Sequence, residues 1–229
     1  MISVILAVGK GSKHINEQIM SVLSQISYSD EIIVSDDRPG GITELIVKKI
    51  AAEDSRVIWV EGKNKGSTAN LVNAIRHSKG DKLLFCDCQN VWLPDKVKRV
   101  TEAFDKGADL VVHNAYITDK NLTITDYSFF DKYCVNKNPV INVFRNSFLI
   151  SCMAIDKKLL KKIMPIPRSV PVISQWIGIL GCVYGKTELV DIPVMYCRVA
   201  NKESFERSFR SGSKSAVIGK LYKRIFFHN

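Results

Sequence analysis

The sequence predicts an α/β fold in which a mostly parallel central sheet is flanked by helices. Short apolar runs alternate with segments whose apolar residues recur every three or four positions, and this alternation continues through the first half of the chain. Turn residues mark most of the boundaries between these segments, as expected for successive βαβ units. With 229 residues, 46% hydrophobic and 24% charged, the chain can form one domain with a sizeable core.

The individual elements follow from local patterns up to residue 117. Apolar runs bounded by turn residues predict strands, and helical periodicity predicts helices. Ser67 or Thr68 is expected to cap the third helix, and Pro94 lies near the start of the fourth. The predicted strands are 2–8, 31–37, 56–62, 81–87 and 109–117, and the predicted helices are 15–25, 42–53, 67–78 and 94–107.

The pattern changes after residue 118. Residues 119–146 are polar and aromatic with little periodicity, whereas the patterns that follow predict a strand and helix over 151–164, a helix over 174–185 and a strand over 187–199. The sequence shows no internal repeat and no linker-like tract. We therefore expect a single domain over 1–204, whose second half, 118–204, closes over the first half, 1–117, and which is followed by a tail, 205–229.

Apolar run lengths and cysteine spacing predict the cellular compartment. No apolar run approaches the roughly 20 residues that cross a bilayer, and the run at the N-terminus is too short for a secretion signal. The six cysteines include no C-x-x-C pair, and the four histidines show no ligand spacing. We expect a cytoplasmic protein without a zinc site or a disulfide framework.

The net charge of +10 favours anionic partners, although a solvated basic surface explains it equally well. No nucleic-acid-binding motif is present, so we expect no nucleic-acid partner. The tail 205–229 interleaves basic and aromatic residues. Two interpretations remain open: the tail lies on an anionic membrane surface, or its aromatic face docks on the core while its lysines stay solvated.

Polar residues collect at the predicted carboxyl ends of the strands, where open α/β sheets bind ligands. Turn chemistry explains any one of them, but their coincidence favours a site. Val4 occupies the place of the first glycine in a Walker A motif, and no G-x-G-x-x-G follows the first strand, so a P-loop or dinucleotide enzyme is not expected. The clustered segments are 7–10, 35–37, 61–66 and 86–90.

Four segments carry a resemblance to a known family: SVILAV, IIVSDDRPGG, NKGSTANLVNAI and LLFCDCQNVWLPDK. Their order resembles the N-terminal half of GT-A glycosyltransferases of family 2. The last segment is similar to the SDQDDIWLPDK text of bacterial polysaccharide and O-antigen transferases, including rhamnosyltransferases. The segment from SQWIG to NKES resembles the HDWW-type helix and YR.H..N.S ending of the family. The resemblance covers residues 2–204.

The resemblance implies a GT-A-like, Rossmann-like sheet with a small C-terminal acceptor-side portion. It implies transfer of a sugar from a UDP- or dTDP-sugar, with inversion, to the hydroxyl of a glycan or a polyprenyl-diphosphate-linked acceptor in cell-surface polysaccharide synthesis. Such a protein would work at the inner face of the plasma membrane, as a peripheral membrane protein. Trp176 would wall the acceptor site and Arg198 would clamp the diphosphate. The full implied nucleotide-sugar set is Ala7, Val8, Asp36, Asp37, Asn64, Gly66, Asn70, Asp87, Cys88, Gln89 and Arg198.

The segment at the family's metal-binding position departs from the family pattern. Asp87 takes the first acid position, but Gln89 and Asn90 take the two positions that follow. Neutral carbonyl oxygens bind Mg²⁺ or Mn²⁺ less well than carboxylates, so a metal on Asp87 and Gln89 would be weakly held. Lysines would then compensate for the diphosphate charge, and the candidates are Lys10, Lys63 and Lys65.

The general base also departs from the family pattern. Ser174 takes the place of the family's aspartate, with Gln175 next to it, and neither is a base at neutral pH. Asp126 and Asp131 are the alternatives, so the catalytic candidates are these two acids with Asp87 and Ser174. Two interpretations follow: a glycosyltransferase with altered donor handling, which we favour, or a catalytically degenerate subunit that binds a nucleotide or a partner.

Overall fold

The computed structural model describes residues 1–9, 13–167, 170, 172–207 and 209. The strands are β1 (Ile2–Val8), β2 (Glu31–Asp36), β3 (Val57–Glu61), β4 (Lys82–Cys86), β5 (Val91–Trp92), β6 (Leu110–His113), β7 (Tyr116–Thr118), β8 (Ile124–Asp126), β9 (Met153–Asp156), β10 (Thr187–Val190) and β11 (Met195–Arg198). The helices are α1 (Ile15–Leu23), α2 (Ile42–Glu53), α3 (Ser67–His77), α4 (Lys96–Asp105), α5 (Phe129–Tyr133), α6 (Pro139–Phe144), α7 (Lys157–Ile163), α8 (Ile173–Tyr184) and α9 (Lys202–Arg207).

Seven strands form the main sheet in the order β10-β6-β9-β4-β1-β2-β3. All pairs are parallel except those of β9, which runs antiparallel to both of its neighbours. The predicted α/β class with a mostly parallel sheet is confirmed. Because β9 and β10 come from the second half of the chain, that half contributes to the main sheet as well as covering it.

A second sheet, ordered β5-β11-β7-β8, arises because two predicted strands each divide in two. The segment predicted as one strand over 109–117 becomes β6 and β7, and the segment 187–199 becomes β10 and β11. Both breaks meet at Asn114, whose Nδ2 donates to the carbonyl of Asp191 (2.8 Å) and whose Oδ1 accepts from the N–H of Ala115 (2.8 Å). The two chain segments therefore leave the main sheet together, at one buried amide.

Two further sequence predictions need correction. Helix α3 is preceded by Gly66 (φ 89°) as its N-cap, with no side-chain cap, so the predicted capping by Ser67 or Thr68 is wrong. A left-handed backbone favours glycine at that position. Residues 119–146, which show little periodicity, contain β8, α5 and α6, each too short to display a helical or strand period.

The described part of the tail docks on the core. Phe209 is buried and stacks on Tyr133, with ring centroids 3.9 Å apart, and Phe205 meets Tyr133 edge to face at 5.9 Å. The remainder of the predicted tail, 210–229, lies outside the described residues. Among the helices that the structure describes, none is long and apolar enough to cross a membrane.

Candidate active site

Strand β2 ends in Asp36, whose side chain is fully buried. Its Oδ1 accepts a hydrogen bond from the N–H of Arg38 (2.9 Å), whereas Oδ2 has no hydrogen-bond partner among the described residues. Burial raises the pKa of this carboxyl, and the Arg38 hydrogen bond opposes the shift. Asp36 is thus a buried acid with an unused acceptor at the carboxyl end of the main sheet.

The neighbouring acid, Asp37, organises the loop after β3. Its Oδ1 accepts from the N–H of Lys65 (3.2 Å) and its Oδ2 from the N–H of Gly66 (3.0 Å). The loop turns through two left-handed residues, Asn64 (φ 49°) and Gly66 (φ 89°). Asp37, Lys63 and Asn64 line a cavity of about 810 Å³. The loop and the end of β2 therefore form one hydrogen-bonded wall of that cavity.

The close approach of this loop to β2 requires glycine at position 62. A Cβ on Gly62 would lie 2.6 Å from the carbonyl oxygen of Asp36 and 2.6 Å from the Cα of Asp37. The Gly62 N–H donates to the same carbonyl oxygen of Asp36 (2.7 Å). Any side chain at this position would push the loop away from the two acids.

Asn70 ties the strand ends together instead of lining an open pocket, as the resemblance implied. Its Nδ2 donates to the carbonyls of Val8 (2.7 Å) and Ser35 (2.9 Å), and its Oδ1 accepts from the Ser35 hydroxyl (2.6 Å). The residue is 3% exposed, so no polar atom is left for a ligand. Val8 also accepts from the N–H of Asp37 (3.0 Å), next to half-buried Ala7. Lys10 lies outside the described residues.

Asp87 follows β4 and lies in a recess that is open to solvent on one side. The surrounding protein raises the pKa of its carboxyl by desolvation, against hydrogen bonds from the Gln89 N–H and the Cys88 thiol. The Gln89 N–H lies 2.9 Å from Oδ1.

Arg198 ends β11 and is almost completely buried, with 3% of its side chain exposed. Its Nη2 donates to Glu17 Oε2 on α1 (2.7 Å). Nε and Nη1 have no hydrogen-bond partner among the described residues. Because a buried guanidinium donor normally has an acceptor, these two groups mark a place where an anion would be stabilised.

A cavity of about 340 Å³ brings the predicted diphosphate-side residues together. Asp87 and Gln89 lie on its β4 side, and Arg198 lies on its β11 side. Asp87 and Arg198 therefore line one cavity although they are far apart in sequence. The other residues that line it are Asn90, Leu149, Ser151, Cys197, Val199, Ala200, Asn201 and Phe205.

A second cavity of about 400 Å³ adjoins the first, because both are lined by Val199 and Phe205. Asp126 lines this second cavity and forms an ion pair with Lys132. Asp131, the other acid proposed from the sequence, is exposed on α5. The structure therefore separates the two acids: Asp126 lies beside the site and Asp131 lies on the surface.

Helix α8 buries the three residues that the resemblance placed on the acceptor side. The Ser174 hydroxyl donates to the carbonyl of Phe148 (2.9 Å), and Gln175 Nε2 donates to the carbonyl of Asn142 (2.8 Å). Trp176 is 2% exposed, so its ring packs in the core and does not wall an open acceptor site. The Ser174 hydroxyl is likewise occupied by its hydrogen bond to Phe148. Neither Ser174 nor Gln175 can act as the general base in place of the family's aspartate.

The oxygen atoms that the protein supplies at this cavity fit a divalent cation whose other ligands come mainly from the bound substrate. Among the described residues, no group of three or more His, Cys, Asp or Glu could hold a metal. Asp87 supplies one carboxylate, and Gln89 supplies a neutral oxygen at the same cavity, while Asn90 Oδ1 already accepts from the Arg198 N–H (3.2 Å). One carboxylate is enough for Mg²⁺ that keeps phosphate oxygens and waters as its other ligands.

A buried lysine lies beneath the second sheet. Lys96 is 1% exposed, its Nζ lies 4.1 Å from the Trp92 ring centroid, and it lies 3.4 Å from the carbonyl oxygen of Ser151. Burial lowers the pKa of Lys96 to about 8. The neighbouring thiols of Cys86 and Cys152 oppose that shift.

Sequence reasoning missed three residues that lie behind the site. Glu17 holds Arg198, the buried amide of Gln18 lies against the carbonyl oxygens of Asp87 and Asn90, and Lys96 is buried. Glu17 and Gln18 occupy ordinary positions on α1, and no local pattern distinguishes them. Lys96 is the last residue of the LPDK segment, and the similarity of that segment to the family sequence was the available signal for this residue.

Solved structures of similar shape define the class of the fold. TarS of S. aureus, in complex with UDP-GlcNAc, superposes with a TM-score of 0.69 at 15% identity, covering 100% of this chain and 73% of that chain. The mannosyltransferase PcManGT of Pyrobaculum calidifontis, in complex with GDP-Man and Mn²⁺, gives 0.65 at 18% identity, covering 90% of this chain and 59% of that one. The chain has the fold of the GT-A glycosyltransferases.

The sequence comparison then fixes the family. The model of glycosyl transferase family 2 matches residues 3–163, well over half of the chain. The chain belongs to glycosyl transferase family 2. An uncharacterised glycosyltransferase of Nostoc sp. is 27% identical over 124 residues, which cover 52% of this chain and 38% of that relative. The chain thus matches well under half of the length of that curated relative.

Proposed function

We propose that this chain is a glycosyltransferase that moves a sugar from a UDP- or dTDP-sugar to the hydroxyl of a glycan or a lipid-linked glycan in cell-surface polysaccharide synthesis, with inversion at the anomeric carbon. The observation that carries the proposal is a pair of buried polar groups of opposite kind. Asp36 has an unused acceptor and Arg198 has two unused donors among the described residues. A nucleoside diphosphate carries donors at its base and ribose and acceptors at its phosphates, so it complements both.

Arg198 is the proposed clamp for the diphosphate. Its unused Nε and Nη1 groups would donate to phosphate oxygens in the 340 Å³ cavity that it lines with Asp87. These charged donors would stabilise the negative charge that develops on the leaving diphosphate. A Mg²⁺ or Mn²⁺ ion on Asp87, when bound, would add positive charge at the same oxygens. Lys63, which lines the 810 Å³ cavity, would supply further charge on the nucleoside side.

The nucleoside would occupy the wall built by β2 and the loop after β3. Asp37, Asn64 and Gly66 form that wall, and their hydrogen bonds hold it in place before a ligand arrives. Asp36 would accept from a ribose hydroxyl or a base N–H. The solved relatives support a donor of this chemical class, since TarS is solved with UDP-GlcNAc and the Pyrobaculum mannosyltransferase with GDP-Man.

Asp126 is the proposed general base. It lines the cavity that adjoins the diphosphate cavity and forms an ion pair with Lys132, so a carboxylate lies beside the place where the acceptor would bind. The acceptor oxygen attacks the anomeric carbon as the bond from that carbon to the diphosphate oxygen breaks. The acceptor proton passes to Asp126, and the electron pair of the broken bond leaves with the diphosphate. A single displacement of this kind inverts the anomeric configuration.

The test is calorimetric titration of the full chain with UDP, dTDP and GDP, each with Mn²⁺ and with EDTA. We expect UDP or dTDP to bind, and we expect Mn²⁺ to improve the affinity by about tenfold or less, because the protein offers the metal one carboxylate. Binding that vanishes in EDTA would contradict the weak metal site. Failure of all three nucleotides to bind would overturn the proposal.

A transfer assay separates an enzyme with altered donor handling from a subunit that binds a nucleotide without turnover. The purified chain is incubated with the UDP- or dTDP-sugars whose nucleotide binds and with lipid-linked glycan acceptors, and free UDP or dTDP is measured over time. Release that requires the acceptor supports transfer. Nucleotide binding without any release, across the donors and acceptors, would overturn the proposed reaction and leave the proposed binding site standing.

A further inference from the structure

Helix α6 presents a group of large apolar side chains to solvent, far from the roles assigned above. Val140 is 64% exposed, Ile141 is 48% exposed and Phe144 is 55% exposed. Phe144 lies four positions after Val140 and three after Ile141, the spacings that make side chains neighbours on a helix, so the three form one surface, which we call the α6 patch. The opposite side of the helix buries Asn142.

The exposure of the α6 patch belongs to a well-anchored helix. Asn138 caps it, accepting from the N–H groups of Val140 (2.9 Å) and Ile141 (3.2 Å). Asn142 Oδ1 accepts from the Ser147 hydroxyl (2.7 Å), and the Asn142 carbonyl accepts from Gln175 of α8 (2.8 Å). The apolar face is therefore held outward by hydrogen bonds to its own segment and to α8.

The charged residues that flank α6 in the sequence are cationic. Lys137 and Arg145 flank the helix and are exposed. From Lys132 to Ile155 the sequence contains no aspartate or glutamate. An apolar surface bordered by cations complements a surface that is apolar below and anionic above.

A comparison with α2 shows that apolar side chains can be exposed without a purely cationic border. Ile42 is 61% exposed and Leu45 is 67% exposed, so α2 also shows apolar side chains to solvent. Glu44 lies between them and forms an ion pair with Lys48 (2.5 Å), which gives that face both signs of charge. The α2 face is thus a matched control: similar apolar exposure without a purely cationic border.

We propose that the α6 patch docks on the surface of an anionic lipid bilayer. Phe144, Val140 and Ile141 would enter the boundary between headgroups and acyl chains, and Lys137 and Arg145 would meet the anionic headgroups. Helix α6 packs on α8, so the α6 patch belongs to the second half of the domain. The proposal rests on surface chemistry and holds whichever sugar nucleotide the enzyme uses.

The test is co-sedimentation of the full chain with vesicles of phosphatidylcholine, with and without phosphatidylglycerol. The triple variant Val140→Ser/Ile141→Ser/Phe144→Ser should bind the anionic vesicles about tenfold more weakly, because it loses the apolar contact. Lys137→Gln/Arg145→Gln should weaken binding to anionic vesicles by about fivefold per charge and leave binding to neutral vesicles unchanged. The control Ile42→Ser/Leu45→Ser should bind as the parent chain does.

Each variant is checked by circular dichroism and thermal unfolding, so that a change in binding is read on folded protein. Unchanged vesicle binding by the triple variant overturns the proposal and assigns any membrane affinity to another part of the chain. An equal loss in the α2 control overturns it as well, since general surface hydrophobicity would then be the cause. A triple variant that loses self-association in light scattering while keeping vesicle binding would make the patch a contact between copies, which also overturns it.

Discussion

The two ends of the candidate site are built in opposite ways. On the nucleoside side, Asp37 and Asn70 form their hydrogen bonds with the protein itself, and these bonds fix the loop and the strand ends. On the diphosphate side, Arg198 keeps two donors without partners among the described residues. The difference teaches that one end provides a preformed shape and the other provides charged donors without acceptors among the described residues, so substitutions at the two ends should have different effects.

The largest expected effect comes from Asp126, which would act in the chemical step alone. Asp126→Asn should lower kcat by about 10²- to 10⁴-fold with little change in KM or in nucleotide affinity, because it removes the proton acceptor. The assay is acceptor-dependent release of the nucleotide. Asp131→Asn is the matched control, an exposed acid in the same segment, and should keep parental kcat. Equal losses in both variants would remove Asp126 from the mechanism.

Arg198 tests the charged end of the comparison. Arg198→Met should weaken UDP or dTDP binding by roughly 100-fold, since it removes two charged hydrogen bonds to the diphosphate. Titration with the nucleoside, which lacks phosphates, should show a far smaller loss. Glu17→Gln keeps an acceptor for Arg198 and should change the affinity by about threefold or less. A Met variant that binds as the parent does would place the diphosphate elsewhere.

Lys96 tests whether buried charge near the site costs stability. Lowering the pKa of Lys96 from 10.5 to about 8 corresponds to roughly 3 kcal/mol of unfolding free energy. The folded state binds fewer protons here, so stability should rise as the pH climbs above about 8. Lys96→Met should lose this rise, as measured by urea unfolding at pH 7 and pH 9. Identical pH slopes in the two proteins would contradict a depressed pKa.

The thiols around Lys96 determine the pH range in which that comparison can be made. Burial raises the pKa of Cys152 to about 12, and it raises the pKa of Cys197 well above its usual value. Unfolding exposes these thiols and lets them ionise near their usual pKa, so above about pH 9 the stability of both proteins falls. The difference between the parent and Lys96→Met isolates the lysine, because the thiols are common to both.

Asp36 gives the smallest expected effect and sharpens the account of the nucleoside end. Its raised pKa means that the folded state holds a proton that the unfolded state releases, so stability falls as the pH rises from 3.8 to the raised value. Asp36→Asn should lack this loss and be about 1 kcal/mol more stable than the parent at neutral pH. Urea unfolding at pH 4 and pH 7.5 measures it. A variant that is less stable at both values would show that the buried charge is stabilised in the fold.

The sheet and helices of the first half could be predicted because their signals are local. The helix over 42–53 matches α2 residue for residue, since its apolar period and its flanking turns lie within one segment. The division of 109–117 and 187–199 could not be predicted, because the side chain of Asn114 joins the two breaks across 77 residues. A break made by a distant amide leaves no periodic mark in either segment.

The candidate site was predicted in its composition more than in its geometry. The resemblance named Asp87 and Arg198 separately, and the structure places both at one cavity. Trp176 is buried, and the apolar character of α8 all around its axis was a signal for that burial. Lys96 followed a helix-starting proline and looked like an ordinary solvated residue, so its burial depends on packing by β11 that no local pattern shows.

The ion pair between Arg198 and Glu17 has a consequence for how the chain folds. It joins residues 181 positions apart, so a very long loop must close before the diphosphate cavity exists. Contacts of such high sequence separation form late and slowly. During synthesis the first strands can pair and bury their apolar faces well before β11 has emerged from the ribosome. Affinity for a nucleoside diphosphate would then serve as a reporter of completed folding, appearing in refolding experiments after most of the sheet has formed.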